Sequence, residues 1–188
     1  MYIDEKKFDL MTTPRREYVW RRINEAYNEG NTQAYTRSQS VMIWGCFGAN
    51  GVGDIVSIPT TMNALSYRDI LRENLRSSAE KIGLKRGWML QDDDPKHTSK
   101  IVKSELNKMH IKCISHPPQS PDMNPIENLW DHIDRKIPMK DRSSTKTMLS
   151  AIMSEWNNIP RETCMKLAMS MCNRVNDLYR LKGCATHY

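Results

Sequence analysis

Apolar positions in the early part of the chain form short runs that are typical of β-strands. Strands are predicted at YIDEKKFDL, at REYVWRR and at VMIWGCFG, the last being an uninterrupted run of strand-forming residues. The glycines of GANGVG, followed by DIVSI, predict a hairpin. The polar stretch from Asn24 to Ser40 has no apolar period, so we expect a loop there.

The middle of the chain alternates between helical and strand patterns. Apolar residues keep a helical spacing from Ser66 to a stop near Gly83, namely Tyr67, Ile70, Leu71, Leu75 and Ala79. A short buried strand is then predicted at WMLQ (88 to 91), a second helix over 98 to 109, and a further strand at IKCIS (111 to 115). This order predicts a β, α, β, α, β unit.

The last part of the chain has only helical patterns. Asn124 as N-cap, Pro125 at the first helical position and Glu127 soon after predict a helix start. An apolar stripe follows and Pro138 ends it: Ile126, Leu129, Trp130, Ile133 and Ile137. Two more helices are predicted, one around Met148, Leu149, Ile152, Met153 and Trp156, and one over 161 to 181. Together the patterns predict an α/β domain in which helices flank a mixed sheet.

Composition narrows the class of protein further. The 188 residues are 39% hydrophobic and 27% charged, a balance that predicts a folded chain. The longest apolar runs fall far short of the roughly 20 residues of a membrane helix, and the polar first residues do not fit a secretory signal. We therefore expect an intracellular protein. Five cysteines without a CxxC pair argue against a disulfide framework and a zinc ribbon, and predict reduced, mostly buried thiols.

The charge of the chain favours a polyanionic partner. Its formal net charge is +6 and its pI is near 9.1, and Lys and Arg gain affinity by releasing counterions from phosphates. If a helix starts near Thr98, Lys96, Lys100 and Lys103 share one face, directly after three consecutive aspartates. Such a stripe suits DNA held across a metal site. A solvated helix face explains the same spacing equally well.

Three acidic residues at strand ends and helix starts are the candidates for chemistry: Asp4, Asp92 and Glu127. Each has a structural alternative. Asp4 fits an exposed strand residue, Asp92 a turn former, and Glu127 a capping box with Asn124 or a solvated helix face. Carboxylates on neighbouring strand ends can also hold two Mg²⁺ ions about 4 Å apart, an arrangement that activates water and stabilises a leaving oxygen.

The combination is more specific than its parts. QDDDPKHTS followed by SPDMNPIENLW, with 34 residues between Asp92 and Glu127, resembles the paired motif of mariner-superfamily DNA transposases. Other matching blocks follow in family order: DEKKF, YVWRR, NEAYN, VMIWGCF, TMNALSYRDIL and GW. The resemblance covers roughly residues 1 to 140, which would form the catalytic domain. Residues 141 to 188 would form a helical extension that packs on it.

The resemblance implies an RNase H-like fold and a definite chemistry. Asp4 would bridge two Mg²⁺ or Mn²⁺ ions, with Asp92 and Glu127 completing the set. Phosphoryl transfer would be direct, first to water and later to a DNA 3′-hydroxyl. In the family this excises an element from its inverted-repeat ends and inserts it at a TA dinucleotide. Family members generally act as dimers, and DNA as substrate implies the nucleus.

The resemblance also implies DNA-contacting residues and marks some departures. Lys96 and His97 match DPKH and would lie beside the scissile phosphate, and further expected DNA contacts are Lys100, Lys103, Arg21 and Arg22. Asp93 stands where the family usually has Asn, Ile23 replaces a usual proline, and TRSQS lacks the usual glycines. The chain opens three residues before Asp4, so the N-terminal helix-turn-helix region of the family is expected to be absent.

Three functions fit these features. The first is a transposase catalytic domain that cleaves and integrates DNA, which the complete carboxylate set favours. The second is a degenerate or domesticated copy that binds nucleic acid without cutting it, which Asp93 and the short N-terminus favour. The third, an unrelated metal nuclease with the same fold, is disfavoured by the DPKHTS and IENLW context.

Overall fold

A mixed β-sheet lies at the centre of the computed structural model, which describes residues 1–10, 22, 39–58, 62–92, 99–114 and 120–188. Within these ranges the sheet has the strand order β3-β2-β1-β4-β5. The strands are β1 (Tyr2–Asp9), β2 (Ser40–Gly48), β3 (Gly51–Ile58), β4 (Met89–Gln91) and β5 (Lys112–Ile114). The longest strand-forming sequences therefore build one side of the sheet and two short strands build the other.

Strand direction follows from the connections. The β2 and β3 strands form the predicted hairpin around a turn at residues 49 and 50, and β1 pairs antiparallel with β2. A helix precedes each of β4 and β5, and these two strands run parallel to β1. In the resulting register Asp4 lies opposite Gly45, and Tyr2 pairs with Gln91 at the end of β4. The central strand β1 thus carries Asp4 beside the end of β4.

Helices cover both faces of the sheet. They are α1 (Ala64–Ile82), α2 (Lys100–Lys108), α3 (Ile126–Lys136), α4 (Thr145–Asn157) and α5 (Arg161–Arg180). Asn63 and Ser66 form a capping box at the start of α1, and Gly83, with φ of 73°, ends the helix in the left-handed conformation that glycine tolerates best. None of the helices in the described ranges is long and apolar enough to cross a membrane.

The two faces have separate cores, because side chains alternate between the faces along each strand. On the α1 face, α1 and α2 pack against Ile3, Trp44 and Leu90. On the α3 face, α3, α4 and the start of α5 pack against a different set of strand residues, Phe8, Val41, Ile43 and Phe47. Asp4 and Lys6 lie on the same side of β1 as Phe8, since the three are two positions apart, and they therefore belong to the α3 face.

The predicted α/β class is confirmed, with differences at one helix start. The REYVWRR strand, apart from Arg22, and most of the predicted loop before Ser40 lie outside the described residues. The prediction that Asn124 is the N-cap of α3 is wrong, since Pro125 takes that position and the helix begins at Ile126. The reason is that the chain enters the helix through a tighter turn, in which the Glu127 amide donates to the Asn124 carbonyl and the Asn128 amide to the Pro125 carbonyl, both at 3.2 Å. Asn124 itself is buried and donates through Nδ2 to the Ile3 carbonyl at 3.1 Å. Its Oδ1 still accepts from the Ile126 amide at 3.4 Å.

The cysteines agree only in part with the prediction. All five are free, as expected for reduced thiols. Cys46 and Cys164 are buried, and burial raises the pKa of each thiol to about 11. The prediction of mostly buried thiols is wrong, since the other three are exposed: Cys113, Cys172 and Cys184. Cys113 lies on the peripheral strand β5, and Cys172 lies on the outer side of α5.

Candidate active site

Asp4 lies on β1 and is held by a tryptophan from α3. The indole Nε1 of Trp130 donates to Asp4 Oδ2 at 2.9 Å, across 126 positions of the sequence. Gly45, which lies opposite Asp4 on β2, leaves the space that this indole fills. A Cβ at that position would come within 2.7 Å of Trp130 Cη2. The absence of a side chain at Gly45 therefore allows the large ring to lie beside the Asp4 carboxylate.

Glu127 lies in the first turn of α3 and forms an ion pair with β1. Lys6 Nζ contacts Glu127 Oε2 at 3.1 Å, and both side chains are about one third exposed, at 31% and 34%. Glu127 and Trp130 are three positions apart on the helix, so they share the side that meets Asp4 and Lys6 on the strand. The structure thus brings Asp4 and Glu127 to the same face of the sheet. The carboxylate of Glu127 pairs with Lys6 rather than closing a capping box with Asn124.

Asp92 directly follows β4, the parallel neighbour of β1. Its Oδ2 accepts a 2.7 Å hydrogen bond from the hydroxyl of Tyr67, a fully buried residue of α1. Burial raises the pKa of Tyr67 well above its usual value, and the charges of Asp92 and Glu5 raise it further. The phenol therefore stays protonated and acts as a donor. This bond turns the Asp92 carboxylate toward the α1 face, whereas Asp4 and Glu127 lie on the α3 face.

The three carboxylates belong to adjacent positions of the fold, and one oxygen of each is bonded to a different donor. Their chemistry suits Mg²⁺ or Mn²⁺, which prefer oxygen ligands. Within the described ranges, however, no three His, Cys, Asp or Glu side chains are arranged to hold a metal ion. A shared ion would require the carboxylates to come closer together than they lie in the described ranges.

Two buried amides fix the segment that leads into α3. Gln91 Nε2, at the end of β4, donates to the Met123 carbonyl at 2.8 Å. Asn124 Nδ2 donates to the Ile3 carbonyl on β1. The backbone just before Glu127 is therefore tied to the two strands that carry or precede the aspartates. Since a buried carbonyl costs free energy when it has no partner, both bonds also satisfy the local backbone.

The sequence patterns did not identify the donors to the carboxylates. Trp130 and Tyr67 belong to the apolar helix stripes, and Lys6 belongs only to the predicted strand YIDEKKFDL. One general signal was present, because a buried Tyr or Trp usually finds a partner for its O–H or N–H. That rule says that a partner exists, but it does not say which residue the partner is.

The predicted DNA contacts are described only in part. Lys100 and Lys103 are exposed on α2, three positions apart, so they share a solvent-facing side of that helix. Arg22 is also exposed. The remaining candidates, Lys96, His97 and Arg21, lie outside the described residues, as does Asp93.

Comparison with known proteins identifies a family. A family model described as DDE superfamily endonuclease matches residues 1–150. The chain is 33% identical over 193 residues to the Transposable element Tc1 transposase of Caenorhabditis elegans, with 100% of this chain and 70% of that one covered. The matched span includes the positions of all three candidate carboxylates.

Solved structures share the fold. The Mos1 transposase in a paired-end complex with the left transposon end has a TM-score of 0.80 at 18% identity, covering 97% of this chain and 55% of that chain. A structure of the Mos1 transposase catalytic domain and Raltegravir with Mn has a TM-score of 0.68 at 16% identity, covering 79% and 78%. At this level of identity the likeness concerns the fold, and the predicted RNase H-like fold is confirmed.

Proposed function

We propose that this chain, which belongs to the DDE superfamily endonucleases and is homologous to the Tc1/mariner transposases, cuts DNA and joins DNA ends through Asp4, Asp92 and Glu127. One observation carries the proposal. The order of the three acidic residues in the family motifs corresponds to three adjacent positions in the fold: the centre of β1, the end of β4 and the start of α3. The chain spans 70% of the Tc1 transposase and 55% of the Mos1 chain in the paired-end complex.

Divalent metal ions are part of the proposal. The Mos1 catalytic domain has been solved with Mn and with Mg, which supports a requirement for one of these ions here. Asp4, Asp92 and Glu127 would hold two ions. When bound, the ions supply Lewis acidity that activates the attacking water or 3′-hydroxyl and stabilises the leaving oxygen.

The residues around the carboxylates prepare them for this role. Trp130 fixes one oxygen of Asp4, and Asp4 therefore presents its carboxylate in one orientation. Tyr67 and Lys6 offset the negative charge of Asp92 and Glu127 through a hydrogen bond and an ion pair. Carboxylates that come together at shared ions repel each other, and these donors would reduce that repulsion.

DNA is the proposed substrate and partner. The basic residues proposed to contact its phosphates are Lys96, His97, Lys100, Lys103, Arg21 and Arg22. Transposon ends and a TA target are the proposed sites of action, and the Mos1 paired-end complex with the left transposon end supports the first of these. We further propose a homodimer that acts in the nucleus.

Metal-dependent cleavage tests the proposal. With purified protein and a supercoiled plasmid, we expect nicking that requires Mn²⁺ or Mg²⁺ and is abolished by Asp4→Asn, Asp92→Asn or Glu127→Gln. The matched control is Asp69→Asn, which removes an aspartate that pairs with Arg68 on α1. DNA binding without any nicking by the unmodified chain would favour the second function, a transposase-derived binding protein.

A further inference from the structure

A buried arginine on the C-terminal helix contacts the residues on both sides of Glu127. Arg174 of α5 is 1% exposed. Its guanidinium donates to the Asp122 carbonyl at 2.5 Å and to Asn128 Oδ1 at 2.6 Å, and its Nε donates to Ser170 Oγ at 3.0 Å. The ring of Tyr188 covers the group, with 4.5 Å between the guanidinium carbon and the ring centroid.

Such burial is costly unless the hydrogen bonds are satisfied. The contacts of Arg174 are a carbonyl, an amide, a hydroxyl and an aromatic face, which suit the planar fork of arginine better than the compact ammonium of lysine. Two of these acceptors, at positions 122 and 128, lie on either side of Glu127 along the chain. The arginine therefore spans the segment in which Glu127 lies.

The end of the chain closes around the same segment. The amide and the hydroxyl of Thr186 donate to Asp122 Oδ2 at 2.7 and 2.8 Å. Tyr188 follows two residues later and stacks on Arg174. From the opposite side, Gln91 and Asn124 tie the same segment to the sheet. The start of α3 is thus held between the sheet and α5.

We propose that Arg174 is a positioning residue for Glu127. It fixes the start of α3 against β1, and this holds Glu127 in place. This inference rests on the proposed function for the role of Glu127 as a metal ligand. It assigns residues 161 to 188 a part in building the site rather than in covering the sheet alone. The expected consequence is that Arg174 influences metal affinity and turnover without contacting the metal or the DNA.

Arg142 provides a matched control at the other end of the same helix. Its side chain is also buried, at 4% exposure, and it donates to the Asp134 carboxylate at 2.8 Å and to the Asp134 carbonyl. Replacing either arginine removes a buried guanidinium bound to α3. Only Arg174 is bound at the end that carries Glu127. Comparing Arg174→Lys and Arg174→Met with Arg142→Lys and Arg142→Met therefore separates positioning from general loss of stability.

The first measurement does not depend on catalysis. Hydrogen exchange of backbone amides should be faster over residues 122 to 128 in the Arg174 variants, and faster near Asp134 in the Arg142 variants. The second measurement is Mn²⁺ affinity, followed by electron paramagnetic resonance of the free ion. We expect at least a tenfold loss in both Arg174 variants and less than a twofold change in both Arg142 variants. In plasmid nicking, both Arg174 variants should have a lower kcat than the unmodified chain, while their KM for DNA stays the same.

A milder pair of variants covers the case in which Arg174→Met does not fold. Tyr188→Phe keeps the aromatic face and should behave as the unmodified chain, whereas Tyr188→Leu should lower Mn²⁺ affinity in the same direction as Arg174→Lys.

Equal losses in the Arg174 and Arg142 variants, or unchanged affinity in all of them, would overturn the proposal. If the unmodified chain neither binds Mn²⁺ nor nicks DNA, the proposed function fails instead. The exchange pattern over residues 122 to 128 then decides by itself whether Arg174 fixes the start of α3.

Discussion

Each of the three proposed metal ligands is bonded to a donor from a different element. Asp4 on β1 accepts from Trp130 on α3, and Asp92 accepts from Tyr67 on α1. Glu127 on α3 pairs with Lys6 on β1. The tryptophan and tyrosine bonds are fixed by buried rings. The lysine bond joins two partly exposed side chains and contributes roughly 0 to 1 kcal/mol. Of the three contacts, the ion pair between Lys6 and Glu127 is the one that a metal ion would displace most easily.

The choice between two neighbouring aspartates is a prediction at the scale of single residues. Asp92 is separated from Glu127 by the 34 residues of the family motif. We therefore expect Asp92→Ala to abolish Mn²⁺-dependent nicking. Asp93→Asn should preserve or improve it, because removing a negative charge next to the site lowers the repulsion between carboxylates. The measurement is the initial nicking rate at saturating Mn²⁺. The reverse pattern would show that Asp93 is the ligand, with Asp92 held by Tyr67 in a structural role.

At the scale of elements, the contact between β2 and α3 depends on one glycine. We expect Gly45→Ala to lower the free energy of unfolding by about 1 to 3 kcal/mol, the usual cost of overpacking a core. The added methyl would meet Trp130 Cη2 at 2.7 Å and Trp156 Cη2 at 3.1 Å. Nicking should fall as well, since the Trp130 indole would move away from Asp4. Urea unfolding and the nicking assay measure the two effects.

A second substitution makes this test specific. Trp130→Phe removes the atoms that the new methyl would meet, so the double variant should be more stable than the sum of the two single losses predicts. It should still cut slowly, because phenylalanine has no N–H for Asp4. Additive losses would indicate that the alanine at position 45 does not meet Trp130.

Local patterns predicted the elements well because strands and helices leave a period in the sequence. The β2–β3 hairpin, the stop of α1 at Gly83 and the apolar side of α3 all follow from residues within one element. The contacts that prepare the site do not, since Trp130 and Asp4 are 126 positions apart. The orientation of Asp92 was equally unpredictable. It depends on Tyr67 from α1. It also depends on the end of β4 at Gln91, because Asp92 then lies outside the hydrogen-bonded strand pairs.

For the whole molecule, charge governs the expected interaction with DNA. A net charge of +6 attracts phosphates without regard to sequence. We expect similar affinities, micromolar or weaker at physiological salt, for inverted-repeat and scrambled duplexes. Replacing Lys100 and Lys103 together by Gln should reduce the slope of log affinity against log salt by roughly 2, because each neutralised phosphate adds about 0.9. A salt series by fluorescence anisotropy of labelled DNA measures the slope.

Two exposed lysines elsewhere provide the control. Lys140 lies between α3 and α4, and Lys166 lies on α5. Replacing both by Gln removes the same charge and should leave the slope nearly unchanged if α2 is the DNA-contacting helix. A preference of a hundredfold or more for the inverted repeat would contradict this expectation. It would mean that residues 1 to 188 read base edges.

The bond between Trp130 and Asp4 also gives the protein an optical probe of its own. The emission energy of an indole depends on the electric field across its ring, and a carboxylate hydrogen-bonded to Nε1 is a strong local source of that field. Trp130 is buried and stacks on Trp156 with 5.0 Å between ring centroids, so solvent does not reach its ring. Neutralisation of Asp4 by a diamagnetic ion such as Mg²⁺ should therefore shift the emission spectrum, and paramagnetic Mn²⁺ should quench it. Loading of the site becomes visible in unlabelled protein, and Trp130→Phe provides the silent reference.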